Sequence, residues 1–467
     1  MNKIFTLLAL SAMTLTAGAY ETPQRPNGIS AETLQRIRSA QPDDVASRAI
    51  RNALTNNDID KLAYSASNRN GFDDHFSHRV ASKGITDQKS SGRCWLFTGL
   101  NVLRSRMMSE HDLQKLELSQ AYNFFYDQLE KSNLFLQGII DTASAPDDDK
   151  MVEWLFRNPL SDGGQYTGFA DNVMKYGVVP KNAMVETVSS SSTAKLNRLL
   201  KRKLREYGLE LRRSAASGAS AEQLSGRKEE MLTTVYSMLS AALGEPPTNF
   251  TWVRKDSKGN FVERVNTTPQ KFYADMCGDD LRANYVMLMN DPSRPYYRLY
   301  EIDFSRHTYD GSNWIYVNLP TEDIKQMAVR SLQDSTMMYF SCDVNKFLDR
   351  DRGLLDIDNY DYDSLFGTTF GMDKADRIRT FDSASSHAMT LVAVDLDDAG
   401  KPQKWMVENS WGDGANGGHL VMTDRWFDEY MFRLVVDKKH ITPRVKEILT
   451  QTPQLLPAWD PMFADEQ

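Results

Sequence analysis

The spacing of apolar residues changes along the chain from a period typical of helices to one typical of strands. Between positions 94 and 243, apolar residues recur every three or four positions, as in Leu96, Leu100, Leu103 and Met107, which indicates the buried face of a helix. After about position 250, short apolar runs predict strands, of which the clearest are 387–394, 404–408 and 418–423. The pattern therefore predicts an α+β fold, with helices early and strands late.

The first nineteen residues have the pattern of a cleavable export signal. Lys3 supplies a positive start, residues 4–15 form an apolar run, and Ala17, Gly18 and Ala19 form a cleavage site of small residues before Tyr20. The run is short for a bilayer span, and no stop-transfer pattern follows, so a retained anchor is the less favoured alternative. We expect an exported protein, periplasmic or extracellular, that keeps no membrane anchor after cleavage and begins with a polar extension over residues 20–70.

A basic helix face is predicted in the middle of the chain. Residues 195–213 have a helical period, and the polar side of this helix carries Lys195, Arg198, Lys201, Arg202, Lys203 and Arg205. A solvated surface is the favoured interpretation, and a site for nucleic acid is the alternative. The formal charge of −8 over 467 residues argues against nucleic acid as a partner. Residues 214–230, rich in Ser, Ala and Gly, predict a mobile surface connection into a helix that ends near Leu243.

Cys94 is the candidate nucleophile. It follows a polar loop, residues 88–93, and opens a predicted helix, where unpaired N–H groups and the helix dipole favour a thiolate. A buried, unreactive cysteine is the alternative. The other cysteines are Cys277 and Cys342, and three in so long a chain do not make a disulfide scaffold. Whether Cys277 and Cys342 pair stays open at this point.

Three residues far along the chain complete a possible cysteine hydrolase. His387 begins a predicted strand and can hold the thiol proton, while the Asn409 carbonyl can orient its ring and Trp411 can shield that bond from water. Gln88 can donate to an oxyanion together with the Cys94 N–H group. Each residue alone also suits a surface, turn or structural position, so the joint pattern carries the hypothesis. No His, Cys and carboxylate cluster has metal-ligand spacing, and we expect neither metal nor cofactor.

A glycine pair, Gly163 and Gly164, lies between the nucleophile and the histidine. Such a pair suits either a tight turn or a place where another backbone approaches closely. On the sequence alone, the turn is the favoured interpretation.

Taken together, these motifs resemble the bleomycin hydrolase and aminopeptidase C family of papain-like cysteine peptidases. The blocks that carry the resemblance are 87–97 (DQKSSGRCWLF), 162–165 (DGGQ), 176–180, 203–208, 386–390, 407–412 (VENSWG) and 456–462. Ser91 replaces the first cysteine of the papain signature, so the disulfide usual in secreted relatives cannot form. Cys94 and His387 lie 293 positions apart, about twice the ordinary papain spacing, which requires an insertion.

The resemblance implies a two-lobed papain-like fold over residues 71–467, with a helical lobe, a β-barrel-like lobe and a large helical insertion at about 190–265. It implies that Cys94 is the nucleophile, His387 the acid and base, Asn409 its orienting residue and Gln88 an oxyanion donor. It also implies that Gly163, Gly164 and Trp411 line the substrate cleft, with Gly164 meeting the substrate backbone.

The resemblance further implies an aminopeptidase that acts on peptide substrates, forms homohexamers and places its tail, residues 453–467, in the active-site cleft. Here the last residues, 463–467, depart from the family pattern, so an endopeptidase with an open cleft is an alternative. A nucleic-acid-binding hexamer with a secondary peptidase role is another alternative, against which the acidic balance counts.

Overall fold

The computed structural model describes residues 27–68 and 73–463. The predicted export signal and the last residues, 464–467, lie outside this described part. The chain divides into two compact units, Met1–Leu62 and Ala63–Gln467. The predicted boundary at residue 71 lies eight residues after Ala63, where the second unit begins.

Helices dominate the first half of the chain, as the apolar period predicts. The α-helices are Ala31–Ser39, Val45–Leu54, Ile59–Ala63, Cys94–Glu110, Gln120–Asp141, Lys150–Arg157, Tyr166–Tyr176, Val188–Ser191, Ala194–Ala216, Ala221–Leu243, Pro269–Met276, Thr321–Gln333, Tyr362–Phe366, Lys374–Arg379, Ala415–Gly418, Asp424–Tyr430 and Pro443–Ile448. Short 3-10 helices are Ala66–Asn68, Lys438–His440 and Pro461–Phe463.

Strands dominate the second half. They are His78–Arg79, Phe250–Lys255, Phe261–Thr267, Tyr285–Met289, Arg298–Ile302, Trp314–Asn318, Met338–Cys342, Leu348–Asp349, Leu354–Leu355, His387–Leu396, Pro402–Glu408, His419–Thr423, Met431–Asp437 and Gln454–Leu456. Phe250–Lys255 and Phe261–Thr267 pair as a separate hairpin, and the others form one 12-stranded mixed sheet. The predicted α+β class is confirmed.

The centre of the sheet separates two apolar cores. Successive side chains of a strand point to opposite faces: Tyr339 packs into the core on the helical side, and its neighbour Phe340 packs into the core on the other side. Ala388 and Met389 divide in the same way. The first core also contains apolar residues of the helices Cys94–Glu110 and Gln120–Asp141. The sheet therefore packs directly against the helix that begins at Cys94.

The predicted insertion is mainly helical, with the hairpin at its end. Helices Ala194–Ala216 and Ala221–Leu243 pack on Gln120–Asp141 through buried residues that include Leu204 and Val235. The prediction of a connection over residues 214–230 is wrong for most of its length, because a helix begins at Ala221. A reciprocal capping box between Ser220 and Gln223 starts that helix, and it outweighs the weak helix propensity of the Ser and Gly residues that follow.

The basic face of Ala194–Ala216 is partly used within the protein. Arg205 donates to the carbonyl oxygens of Phe156 and Arg157 at 2.8 and 3.1 Å. These bonds give partners to carbonyl groups at the C-terminal end of helix Lys150–Arg157. Lys203 pairs with Glu206 at 2.8 Å. These contacts agree with the favoured interpretation of a solvated surface.

A buried ion pair joins the Cys94 helix to the sheet. Arg104, on that helix, lies 3.5 Å from the carboxylate of Glu408, and both side chains are almost fully buried. Arg104 also donates to the Gly84 carbonyl at 2.6 Å. Glu408 directly precedes Asn409, so this pair connects the two halves of the candidate site.

We expect Arg104→Met to destabilise the protein by about 3–5 kcal/mol, because it leaves the Glu408 carboxylate buried without its cation. Urea unfolding followed by tryptophan fluorescence measures this change. The double variant Arg104→Met/Glu408→Gln removes both charges and should regain most of the lost stability. A single variant as stable as the wild type would contradict the expectation.

In the described part of the first unit, two helices have well-formed starts. The Ser30 hydroxyl accepts from the Thr33 N–H group, and the Asp44 carboxylate accepts from Ser47, as expected of N-caps.

Among the described residues, no helix is long and apolar enough to cross a bilayer.

Candidate active site

The structure brings most of the predicted site residues to one cleft of about 280 Å³. Cys94 and Gln88 line it from one side, and His387 lines it from the sheet. Gly163 and Gly164 form part of the same wall. Asn409 and Trp411 are not in the lining, but both contact the ring of His387.

Sheet register explains why His387 and Asn409 meet. Strands His387–Leu396 and Pro402–Glu408 are antiparallel, and Thr390 lies opposite Glu408. The first residues of strand His387–Leu396 therefore lie opposite the residues that follow strand Pro402–Glu408. Asn409 Oδ1 accepts from His387 Nε2 at 2.8 Å, which leaves Nδ1 as the nitrogen that can take a proton from sulfur.

The Trp411 indole covers the histidine ring. Its ring centre lies 4.9 Å from that of His387 at an angle of 30°, and the indole stays 37% exposed. The guanidinium of Arg350 also lies over this indole, 5.0 Å from its centre. Burial, opposed by the Asn409 bond and aided by Arg350, lowers the pKa of His387 to about 4.

Cys94 is the first residue of its helix and is partly exposed. The helix start predicts a thiolate, but burial outweighs it and raises the pKa of the Cys94 thiol to about 11. Backbone N–H groups of Ala388 and Trp95 oppose this rise, and the Asp162 carboxylate adds to it. Burial therefore favours the neutral forms of both the thiol and the imidazole.

Hydrogen bonds fix the amide of Gln88 beside the cysteine. Its Oε1 accepts from the Ser410 hydroxyl at 2.6 Å, and its Nε2 donates to the Ser91 carbonyl at 2.6 Å. Because an amide nitrogen carries two hydrogens, one remains for a further acceptor. Ser91 Oγ donates to the Gln88 carbonyl and accepts from Arg93 Nε at 3.0 Å, so the serine that replaces a cysteine supports the loop through hydrogen bonds.

The glycine pair lies where no side chain fits. A Cβ atom at Gly164 would lie 2.3 Å from the ring of His307 and 2.8 Å from that of Trp95. Neither glycine of the pair has a positive φ, so the tight-turn interpretation is wrong. Close packing against these two rings requires a glycine at position 164, and the wall of the cleft there is bare backbone.

Several residues of the site were not identified from the sequence. Asp162 accepts from the Gly92 N–H group at 2.8 Å and from the Thr193 hydroxyl. The buried guanidinium of Arg93 binds Glu186 through two bonds of 3.1 and 2.8 Å. Asp162 and Ser410 lie inside quoted motifs and could have been found there, whereas Glu186 has no local signal.

The C-terminal tail is held close to the site. Strand Gln454–Leu456 pairs in parallel with Arg298–Ile302. Ala458 lies in the wall of a second cavity that Gly163 and Gly164 also line. Asp460 pairs with Arg294 at 3.0 Å.

Beyond Asp460, the Met462 carbonyl accepts from the buried guanidinium of Arg433 at 3.2 Å. Arg433 lies near Tyr339, which lines the Cys94 cleft: burial raises the pKa of Tyr339, and the charge of Arg433 opposes the rise. The chain thus reaches the neighbourhood of the cleft before the described residues end at 463.

The three cysteines are all free, so Cys277 and Cys342 do not pair. Cys342 is buried opposite His387 in the sheet, and Cys277 is half-buried near Arg106. Among residues 27–68 and 73–463, no group of three or more His, Cys, Asp or Glu side chains is arranged to hold a metal ion.

Comparison with known proteins gives one consistent result. The sequence pattern of the peptidase C1-like family matches residues 28–463. Aminopeptidase C of Lactobacillus delbrueckii subsp. lactis is 37% identical over 443 residues, which cover 93% of this chain and 98% of that protein. Bleomycin hydrolase of Rattus norvegicus is 36% identical over 449 residues, with 94% and 99% covered.

A solved structure is similar over nearly the whole chain. It is PepW from Lactobacillus rhamnosis HN001, which superimposes with a TM-score of 0.90 at 35% identity and covers 94% of this chain and 99% of its own. The predicted papain-like fold and the predicted resemblance are both confirmed.

Proposed function

The chain belongs to the peptidase C1-like family and is a cysteine-type peptidase, and we propose that it is an aminopeptidase that releases N-terminal residues through a thioester at Cys94. Relatives named aminopeptidase C and bleomycin hydrolase support this proposal. The observation that carries it is the position of the tail, since Ala458 shares a cavity wall with Gly163 and Gly164.

In the first step, Cys94 Sγ attacks the carbonyl carbon of the first peptide bond while the thiol proton passes to His387 Nδ1. The carbonyl oxygen becomes an oxyanion, to which the Cys94 N–H group and the second hydrogen of Gln88 Nε2 donate. The C–N bond then breaks, His387 gives its proton to the leaving amine, and the acyl group stays on sulfur as a thioester.

In the second step, water hydrolyses the thioester. His387 accepts a proton from the water, hydroxide adds to the thioester carbon, and the C–S bond breaks. The sulfur takes the proton back from His387, and the amino acid leaves. The hydrogen bond from His387 Nε2 to Asn409 Oδ1 limits rotation of the ring and leaves Nδ1 to exchange the proton with sulfur in both steps.

The tail supports exopeptidase action because Ala458 occupies space beside the glycine pair. A peptide cleaved internally needs this space for the residues on the amino side of the cleaved bond. A peptide that loses only its first residue does not. Asp465 and Glu466, which follow the described residues, have side-chain carboxylates that would attract the free ammonium of a substrate.

We expect an aminoacyl-coumarin with a free amine to be hydrolysed at least about 100-fold faster than its N-acetyl form. Acetylation removes the ammonium charge, and losing one charge-assisted hydrogen bond costs about 1.5–3 kcal/mol, to which the bulk of the acetyl group adds. The ratio is obtained from kcat/KM for each substrate, measured by the fluorescence of the released coumarin.

A chain that ends at Met462 is the matched variant for this experiment. It keeps the pairing of Gln454–Leu456 and the Asp460–Arg294 bond, and it should cleave the acetylated substrate better than the full chain does. If the full chain cuts blocked peptides internally and efficiently, the endopeptidase alternative is correct and the tail does not close the cleft.

Export and self-association belong to the same proposal. The signal pattern of residues 1–19 supports export to the periplasm or the medium. Apolar side chains that stay exposed on the first two helices, Leu34, Ile37, Val45 and Ile50, support self-association. Light scattering distinguishes a monomer from the hexamer that we propose.

A further inference from the structure

A buried group of charged residues, the Lys131 cluster, lies behind the glycine pair of the cleft. It consists of Asp127 and Lys131, one turn apart on helix Gln120–Asp141, and His307. Asp127 is fully buried, and the other two side chains are less than 10% exposed. The Lys131 ammonium lies 2.9 Å from Asp127 Oδ2, and His307 Nδ1 donates to Asp127 Oδ1 at 2.6 Å.

Lys131 directs its remaining hydrogens at backbone oxygens of the cleft wall. Its Nζ donates to the Ser161 carbonyl at 3.0 Å and to the Gly163 carbonyl at 2.6 Å. An ammonium has three hydrogens, and Asp127, Ser161 and Gly163 account for all three.

The carbonyl between those two is held as well. Trp95, the neighbour of the nucleophile, donates from Nε1 to the Asp162 carbonyl at 2.9 Å. Gln128 Nε2 also donates to the Ser161 carbonyl, at 2.9 Å. Side chains thus fix three consecutive carbonyls, at 161, 162 and 163, immediately before Gly164.

The same cluster contacts Gly164 itself. The His307 ring is the nearest group to a hypothetical Cβ there, and it meets the Trp95 ring edge to face with centres 4.9 Å apart. The Lys131 ammonium lies 5.3 Å from the centre of the same indole. The cluster therefore touches both the residue after the nucleophile and the backbone of the cleft wall.

Stability alone does not account for such a cluster. Apolar residues of similar volume usually replace buried ion pairs without loss of stability. A buried lysine does supply what an apolar residue lacks, namely directional, charge-assisted bonds to carbonyl oxygens. The pKa of Asp127 is raised by burial, but Lys131 and His307 together bring it below its ordinary value, so the carboxylate stays charged beside the ammonium.

We propose that Lys131 is a positioning residue for peptide binding, which fixes the carbonyls of Ser161 and Gly163 so that Gly164 presents its backbone to the substrate. Asp127 and His307 hold the ammonium in place. Lys131 does not touch the reacting atoms. This inference rests on the proposed function, because it takes Gly164 to be the residue that meets the substrate.

The test uses the full-length enzyme and the double variant Asp127→Asn/Lys131→Met. This variant removes both charges together, so it avoids the unpaired carboxylate that Lys131→Met alone would bury. We expect kcat/KM for aminoacyl-coumarin to fall about 10- to 100-fold, mainly through KM, because a misplaced Gly164 backbone would orient the peptide less well. The rate at which iodoacetamide alkylates Cys94 should stay within about twofold, since this small reagent needs no backbone contact at Gly164.

Lys175→Met is the matched control. Lys175 also pairs with carboxylates, Glu130 and Asp310, but it is partly exposed and lies outside the cleft lining. This variant should retain wild-type kcat/KM.

Two results would overturn the inference. One is an unchanged kcat/KM in the double variant. The other is an equal loss of hydrolysis and alkylation, which would indicate general distortion of the fold. Cys94→Ala separates this inference from the proposed function: if that variant is inactive while the double variant hydrolyses peptides normally, only the role of Lys131 is wrong.

Discussion

Replacing Cys94 by alanine should lower kcat/KM for aminoacyl-coumarin substrates by about 10⁴-fold or more while leaving the fold intact. Loss of a covalent nucleophile removes the acyl-enzyme route, and what remains is the contribution of binding and the oxyanion donors. The side chain shrinks by one sulfur atom at a partly exposed position, so stability should change little. Fluorescence release and a thermal unfolding curve measure the two quantities.

Cys277→Ala is the matched control for this variant. Cys277 is also free and half-buried, but it lies near Arg106 and does not line the cleft. It should keep full activity. Wild-type hydrolysis by Cys94→Ala, or inactivation by Cys277→Ala alone, would refute the assignment of the nucleophile.

Replacing His387 by alanine should have the second largest effect, a fall of about 10²- to 10⁴-fold in both hydrolysis and alkylation of Cys94 near pH 7. The pKa of Cys94 is raised by burial to about 11, so the thiolate is only about one part in 10⁴ at pH 7 without a base. His387 has a pKa lowered by burial to about 4. It is therefore neutral at pH 7 and able to accept the proton.

The pH profile of alkylation distinguishes this role from a structural one. In the wild type, the rate should rise as His387 loses its proton through about pH 4 and then level off until the thiol itself ionises towards pH 11. In His387→Ala the step near pH 4 should disappear, leaving a steady increase towards pH 11. The exposed His75 offers a control, since His75→Ala should keep both steps. A step near pH 4 that survives in His387→Ala would assign it to another group.

Local signals allowed much of the secondary structure to be predicted. Ser119 caps the helix Gln120–Asp141 by accepting from the Tyr122 N–H group, and Thr268 and Pro269 start the helix Pro269–Met276. Such caps involve residues within three positions of each other, so they are visible in the chain itself. The helix that ends at Leu243 was predicted, but its first ten residues, 221–230, were predicted as a connection because the composition after its cap points to a loop.

The arrangement of the candidate site was predictable only in its local parts. Gln88 and Cys94 lie six positions apart, and Asn409 and Trp411 belong to one short motif, so residue types and spacing pointed to them. The meeting of Asn409 and Trp411 with His387 depends on the register of two strands, for which the resemblance, not the spacing, was the guide.

Contacts between residues far apart in the chain could not be predicted from the sequence. Asp127 and His307 are 180 positions apart, and Arg104 and Glu408 are 304 apart. A buried charge looks the same in the sequence as an exposed one, because only the fold decides which acquires a partner. The effect of burial on the cysteine was not predictable either: the helix start favours a thiolate, whereas burial raises the pKa of the Cys94 thiol, and burial cannot be read from the chain.

Ser91 has a practical consequence for handling the enzyme. Its hydroxyl supports the loop before the nucleophile with bonds to Gln88 and Arg93, where a papain-type signature has a cysteine. With Cys94, Cys277 and Cys342 all free, no crosslink has to form as the chain folds, and none can be broken afterwards. A strong reductant can therefore keep Cys94 reduced throughout purification and assay without breaking a disulfide of the fold.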